Sequence, residues 1–133
     1  MWQYWLTLSQ TIGGLLMTGY LTTHVLDTAR GCPAKGLNID LYQIQDGERC
    51  LVATAVTNED GRTDEQILPA ARFKSGEYEL VFHAGPYLTA TGQRKEGSHF
   101  LVDRPIRFIM SEVSHYHVPL LLSPFGYSTY RGS

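Results

Sequence analysis

The sequence is short of charged residues and of cysteines, and each shortage argues against a class of protein. Asp, Glu, Lys and Arg make up only 18% of the 133 residues, and the formal net charge is −2. Nucleic-acid-binding proteins normally carry a basic surplus gathered on one face, so no nucleic-acid partner is expected. The two cysteines, Cys32 and Cys50, are too few for a small secreted domain held together by disulfides.

The beginning of the chain lacks charge altogether, because its first 23 residues include no Asp, Glu, Lys or Arg. A secretory signal needs a basic start and a compact apolar run. Here the run is interrupted by Ser9, Gln10, Gly13 and Gly14. The segment also falls short of the roughly 20 predominantly apolar residues that cross a bilayer, so no membrane partner is expected.

Three interpretations of residues 1–19 therefore stay open. They are an atypical leader, an N-terminal apolar extension that packs or anchors, or an over-called start with Met17 as the initiator. Without a convincing export signal, the expected compartment is the cytoplasm, where thiols stay reduced. The periplasm is the alternative if residues 1–19 act as a leader. The folded domain is expected over residues 20–133.

The composition of the whole chain is suited to one well-filled core. Hydrophobic residues make up 43% of it, with eight Tyr, five Phe and two Trp, and this content argues against disorder. The length is that of a single domain. Thirteen glycines and six prolines predict frequent turns and few long helices.

From Leu21 onward, apolar and polar residues alternate with a period of two, which is typical of half-buried strands. Turn residues recur about every ten positions, which favours an antiparallel sandwich over a βαβ fold. One short helix is predicted over residues 84–92. The predicted strands cover residues 21–27, 37–41, 50–57, 78–83, 106–110, 115–122 and 127–131.

Histidines supply the candidate chemistry. The period of two puts His115 and His117 on one face of a strand, and His24 lies within another strand. Arg62 directly follows Gly61 at a tight turn, where its guanidinium could lie over a sheet face. A zinc site of His24, His115 and His117 is an alternative, but no carboxylate or thiolate beside them offers a further ligand. The residues alone therefore indicate a β-sandwich with a candidate His/Arg site.

Three segments carry a more specific pattern. They are LTTHVLD at residues 21–27, DGRT at 60–63, and HYHVPLLLSP followed by YSTYRGS at 115–133. Together they resemble the 5-hydroxyisourate hydrolases, the transthyretin-like enzymes of urate breakdown. The resemblance runs from about residue 20 to residue 133.

The resemblance implies a fold, an assembly and an activity. The fold would be an all-β, transthyretin-like (prealbumin-like), two-sheet antiparallel β-sandwich with one short helix. The assembly would be a homotetramer, a dimer of dimers, with sites at the dimer–dimer interface. The activity would be hydrolysis of 5-hydroxyisourate, with no cofactor and no metal. The family's substrate-contacting residues fall on His24, Arg62, His117 and Tyr130.

These residue types suit the reaction. A neutral imidazole, His117 or the His24–His117 pair, would activate water, and Arg62 would stabilise the oxygen that becomes negative. Tyr130 and Ser128 would line the walls of the site. The alternative is a transthyretin-type small-molecule carrier without turnover. His83 and His99 are interpreted as structural and His115 as intermediate, since it shares a strand face with His117.

Overall fold

The described residues form two four-stranded β-sheets, a separate pair of strands and one short helix. A computed structural model describes residues 9–12 and 15–133. Helix α1 spans Ala84–Ala90, and a 3₁₀ turn covers Ala70–Arg72. The strands are β1 (Ser9–Ile12), β2 (Leu15–Thr18), β3 (Tyr20–Asp27), β4 (Cys32–Pro33), β5 (Asn38–Gln45), β6 (Glu48–Val56), β7 (Gly76–Phe82), β8 (Arg104–Met110), β9 (His115–Ser123) and β10 (Gly126–Thr129).

The strand order is β10-β9-β3-β4 in the first sheet and β6-β5-β7-β8 in the second, while β1 and β2 pair with each other. This arrangement confirms the predicted two-sheet, all-β fold with one short helix. The antiparallel expectation does not hold for β3 and β9, which run parallel from Tyr20 opposite His115 to Asp27 opposite Leu122. Parallel neighbours need a long crossover, and the second sheet and α1 lie between them in the chain. Alternation reveals the faces of a strand but not the direction of its neighbour.

The core lies between the two sheets and explains which face of β3 is left for other uses. Leu21 and Val25 of β3 are fully buried, and so are Leu120 and Leu122 of β9. They pack with second-sheet residues such as Leu80, and burial of each large side chain contributes roughly 1.5–3 kcal/mol. The alternate residues point away from this core. We call their surface the outer face of the first sheet; its members include Thr22, His24, His115 and His117.

A buried carboxylate ties the end of β3 to the helix. Asp27 is only 1% exposed, and it accepts hydrogen bonds from the Tyr87 hydroxyl at 2.7 Å and from Nε2 of Gln93 at 2.8 Å. Burial raises the pKa of Tyr87 to about 12, and the bond to Asp27 contributes in the same direction. The contact anchors α1 on the first sheet, and the alternation of apolar and polar residues contains no sign of it.

A buried arginine anchors the hairpin of β9 and β10. Arg104 is fully buried and donates from Nη1 to the carbonyls of Ser123 at 3.2 Å and Gly126 at 3.0 Å. Its Nη2 donates to the Leu101 carbonyl at 3.3 Å. Burial lowers the pKa of Arg104. Since the bonded carbonyls flank the tip of the hairpin, Arg104 holds in place the element that continues to the end of the chain.

His83 directly precedes α1 and contacts a carboxylate of β5 and another just before β8. Its Nε2 lies 2.9 Å from Asp40 of β5 and its Nδ1 lies 3.1 Å from Asp103 just before β8. Burial lowers the pKa of His83, but the hydrogen bonds that its ring donates to the two carboxylates, together with their negative charges, outweigh burial and the net shift is upward. These contacts fit the structural role predicted for His83.

The His83 contacts predict a stability that depends on pH. Because the folded-state pKa is raised above the unfolded value of about 6.5, the stabilisation is complete below that value and is lost as pH rises through the folded-state pKa. His83→Gln is therefore expected to lower the free energy of unfolding more at pH 6 than at pH 9. Urea denaturation at both pH values measures this. An equal loss at the two pH values would contradict the charged pairing.

The predicted extension at residues 1–19 falls partly outside the described residues, because residues 1–8 and 13–14 are not among them. Its division from the domain at residues 20–133 stays a prediction. Within the described part, Ser9–Ile12 pairs antiparallel with Leu15–Thr18. None of the helices described there is long and apolar enough to cross a bilayer.

Candidate active site

The outer face of the first sheet carries three half-buried histidines on two neighbouring strands. The parallel register places Thr22 opposite His117 and Tyr20 opposite His115, and His24 follows two residues after Thr22. Residues two apart on a strand share a face, so the structure brings together what the period of two predicted for His115 and His117. The pairing of β3 with β9 adds His24 to the same surface.

Thr22 lies at the centre of this group, and alternation predicts its strand face but no role for it. Its Oγ1 is 2.7 Å from Nε2 of His115 and 2.8 Å from Nδ1 of His117. Tyr20 stacks on His115, with 4.2 Å between ring centroids and 11° between ring planes. In the sequence, the position of Thr22 on the same strand face as His24 was the available sign of its role. Only the strand pairing shows that Thr22 stands between two histidines.

Arg62 reaches the site from a tight turn beside the other edge of β3. The Asn58 carboxamide oxygen accepts hydrogen bonds from the backbone N–H of Asp60 at 2.9 Å and of Arg62 at 3.2 Å. The Val25 N–H donates to the Gly61 carbonyl at 2.8 Å, which docks the turn on β3. The Arg62 side chain is exposed, and its guanidinium has no hydrogen-bond or ion-pair partner among the described residues. Its donors are therefore free for a ligand.

Gly61 is required for this docking, and we predict a large cost for a side chain there. Its φ is +76°, and an added Cβ would overlap the Val25 carbonyl oxygen. Gly61→Ala is expected to lower the free energy of unfolding by about 2–4 kcal/mol, since backbone strain and the overlap add. Gly47→Ala is the matched control, because Gly47 has a φ of +79° and open space around the added Cβ. Denaturant unfolding measures both. Similar losses in the two variants would contradict the close approach to Val25.

His24 is held by the same turn. It forms an isolated antiparallel bridge with Arg62, and its Nε2 lies 2.8 Å from the Asp60 carbonyl oxygen. A carbonyl only accepts, so Nε2 of His24 carries a proton and donates it to Asp60. The neutral ring then has its lone pair at Nδ1. This contact fixes the orientation of His24 and couples it to the turn that carries Arg62.

His117 is half-buried on the outer face of the first sheet. Burial lowers the pKa of His117, and the positive charge of Arg62 lowers it further, so both favour the neutral ring. The Gly132 N–H donates to the His117 carbonyl at 2.7 Å. A Cβ at Gly132 would lie 2.5 Å from Cδ2 of His117, so the end of the chain passes directly against the ring. Nε2 of His117 has no hydrogen-bond partner within the described ranges.

Ser128 and Tyr130, the two predicted wall residues, lie on and just beyond β10. Ser128 is opposite Leu121, which shares its face with His117, and Gly132 is opposite His117 itself. Tyr130 falls between these two positions and is 59% exposed. Both residues are at the margin of the outer face, and no hydrogen bond joins them to the histidines in the described part of the chain.

A single chain leaves the histidine group open. Neither His24 nor His117 lines any of four cavities of about 280 to 490 Å³ in the described part of the chain, although Tyr130 lines one of them together with Ile106 and Val118. Among residues 9–12 and 15–133, no three His, Cys, Asp or Glu side chains are placed to share a metal ion.

His99 is remote from the group and hydrogen-bonds through Nε2 to Thr89 at 3.0 Å. It thus fits the structural role predicted for it.

Comparisons with known proteins show which family the sequence matches. The sequence model of the HIUase/Transthyretin family matches residues 21–132. The 5-hydroxyisourate hydrolase of Mesorhizobium japonicum is 57% identical over 115 residues, which cover 86% of this chain and 93% of that protein.

Solved structures of related proteins align with most of the chain. The Klebsiella pneumoniae 5-hydroxyisourate hydrolase aligns with a TM-score of 0.72 and 34% identity, over 87% of this chain and 100% of that one. An (S)-allantoin synthase aligns with a TM-score of 0.79 and 44% identity, over 86% of this chain. The chain spans only 44% of the allantoin synthase.

Proposed function

The chain belongs to the HIUase/Transthyretin family, and on that premise we propose that it hydrolyses 5-hydroxyisourate to 2-oxo-4-hydroxy-4-carboxy-5-ureidoimidazoline in urate breakdown. The observation that supports the proposal is that His24 and His117 lie on one face of two neighbouring strands and that Arg62 bridges to His24, although the three are far apart in sequence. The high identity to a hydrolase of similar length supports an enzyme over a carrier.

Water attack on a ring carbonyl of the substrate places negative charge on the carbonyl oxygen. Arg62 stabilises this oxygen, because its planar guanidinium offers paired donors that no described residue engages. The charge of Arg62 also lowers the pKa of His117 and keeps that ring ready to accept a proton. Arg62 thus stabilises the negative oxygen of the attacked carbonyl and also favours the unprotonated form of His117.

His117 is the base in this proposal, and His24 orients the site. Nε2 of His24 already donates to the Asp60 carbonyl, which commits that nitrogen to the turn. Nε2 of His117 is the nitrogen free to take a proton from water and to return it to the leaving ring nitrogen. No metal or cofactor is assigned to the reaction.

The site is completed by a second copy of the chain. A flat sheet face does not surround a small ring, whereas two copies related by a two-fold axis form a trench that excludes bulk water. We therefore assign the active form to a homotetramer, a dimer of dimers, with sites at the dimer–dimer interface. Ser128 and Tyr130, exposed beside the histidines, line the walls of that trench.

The decay of freshly generated 5-hydroxyisourate, followed by ultraviolet absorbance, tests the activity. The purified protein is expected to accelerate the decay with many turnovers per chain. A transthyretin-type carrier would instead slow the decay in proportion to its concentration, and that outcome would replace the enzyme with the alternative. Analytical ultracentrifugation tests the assembly, with a tetramer expected and a fully active monomer contradicting the shared site.

A further inference from the structure

The hydroxyl of Thr22 has hydrogen-bond contacts with two histidines but only one proton to give. It lies 2.7 Å from Nε2 of His115 and 2.8 Å from Nδ1 of His117. A hydroxyl has one proton to donate and two lone pairs that accept, so it donates to at most one of the two rings and at least one ring donates to it. The directions of the two hydrogen bonds therefore decide which nitrogen of each ring carries the proton.

We propose that Thr22 is a positioning residue that holds His117 in the tautomer with its proton on Nδ1 and its lone pair on Nε2. Nδ1–H of His117 donates to Oγ1 of Thr22, whose own proton is donated to Nε2 of His115. His115 is then the final acceptor and carries its proton on Nδ1. The proposal rests on the proposed function, because it specifies how His117 is prepared to act as the base.

The opposite direction, in which Thr22 donates to Nδ1 of His117, is incompatible with His117 as the base. It would place the proton of His117 on Nε2 and leave no lone pair there for the attacking water. His115 is fixed for its part by the stacked ring of Tyr20, so its Nε2 stays aimed at the hydroxyl.

The proposed tautomer is consistent with the proton balance of the reaction. Water loses a proton to Nε2 of His117 as its oxygen bonds to the ring carbonyl carbon. The charged ring still donates from Nδ1 to Thr22, and that bond strengthens because the donor is now charged. The carbon–nitrogen bond of the substrate then breaks, and Nε2 gives the same proton to the leaving nitrogen. Thr22 remains neutral throughout.

Three variants separate this role from simple support of the strand. Thr22→Val keeps the shape and removes the hydroxyl, and Thr22→Ser restores the hydroxyl. Thr23→Val is the matched control, since Thr23 is adjacent, 1% exposed, and donates to the Val118 carbonyl on the opposite face. Circular dichroism and thermal unfolding establish that each variant is folded. The substitution of Thr23 is expected to lower the free energy of unfolding without changing the tautomers of His115 and His117.

The decisive measurement is ¹⁵N NMR of the histidine rings in the whole protein near pH 7.5. The wild type and Thr22→Ser are expected to show protonated Nδ1 and unprotonated Nε2 for His117. Thr22→Val is expected to lose this single tautomer. We also expect its kcat to fall about 10-fold to 100-fold with little change in KM, which is less than the roughly 10⁴ that a wrong histidine tautomer can cost.

Two results would overturn the inference. One is a wild-type His117 with its proton on Nε2, and the other is a Thr22→Val variant with unchanged ring nitrogens and unchanged kcat. The NMR result does not depend on turnover. If the wild type showed the expected tautomer but did not consume 5-hydroxyisourate, the proposed function would fail while the positioning by Thr22 stood.

Discussion

Replacing His117 with asparagine is expected to slow the catalysed hydrolysis of 5-hydroxyisourate by a factor of about 10²–10⁴ while the chain stays folded. This is the usual contribution of a general base, and the variant has no group that titrates near neutral pH at that position. The loss in free energy of unfolding should be small, because the His117 side chain is only half-buried and asparagine can still hydrogen-bond to Thr22. Ultraviolet assays of substrate decay measure the rate.

His99→Asn is the matched control for this prediction. His99 is half-buried like His117, but its Nε2 bonds to Thr89 far from the outer face of the first sheet. Its replacement is expected to change the rate by less than about threefold, in line with surface substitutions away from a site. Equal losses in the two variants would assign the effect of His117 to folding and not to proton transfer.

The fall of kcat/KM at acidic pH offers a second test of His117 as the base. Burial, and then the charge of Arg62, lower the pKa of His117 below its usual value of about 6.5. A protonated ring cannot accept a proton from water, so kcat/KM should fall as pH drops through this lowered pKa. The midpoint of the fall should therefore lie below about pH 6.5. A limb centred above that value would be inconsistent with His117 as the base.

The strands and the faces of the site could be predicted from the sequence, because alternation is a local property. The period of two separates Leu21 and Val25 from Thr22 and His24 without knowledge of any partner strand. The turn before Arg62 was predicted from Gly61, whose positive φ the structure confirms. Local patterns were sufficient for these features.

The remaining features depend on which strands meet, and this is set by the packing of the whole chain. The parallel pairing of β3 with β9 decides that Thr22 contacts His117, and no local pattern gives the direction of a pair. The same is true of the buried Arg104, whose acceptors are backbone carbonyls that any sequence provides. The bond of Tyr87 to Asp27 joins residues 60 positions apart. Side chains that act through such distant partners look ordinary in the sequence.

Replacing Arg62 with alanine is expected to lower the turnover rate about 10²–10³-fold, the usual cost of removing a donor to a developing oxyanion. The same substitution removes a positive charge close to His117, so the pKa of His117 should rise toward its usual value of about 6.5. Arg62→Lys separates these two effects. It keeps the charge and hence the lowered pKa, but it loses the planar pair of donors and with it much of the rate.

Two measurements together decide the role of Arg62: substrate decay for the rate and NMR titration of His117 for its pKa. Arg72→Ala serves as the control, because Arg72 is another exposed arginine and donates to the Val52 carbonyl away from the site. It should leave both quantities unchanged. If Arg62→Ala lost activity but left the pKa of His117 where it was, Arg62 would not stand beside that ring in solution. If the pKa rose and the rate did not fall, the charge would be near His117 but the oxyanion would be stabilised elsewhere.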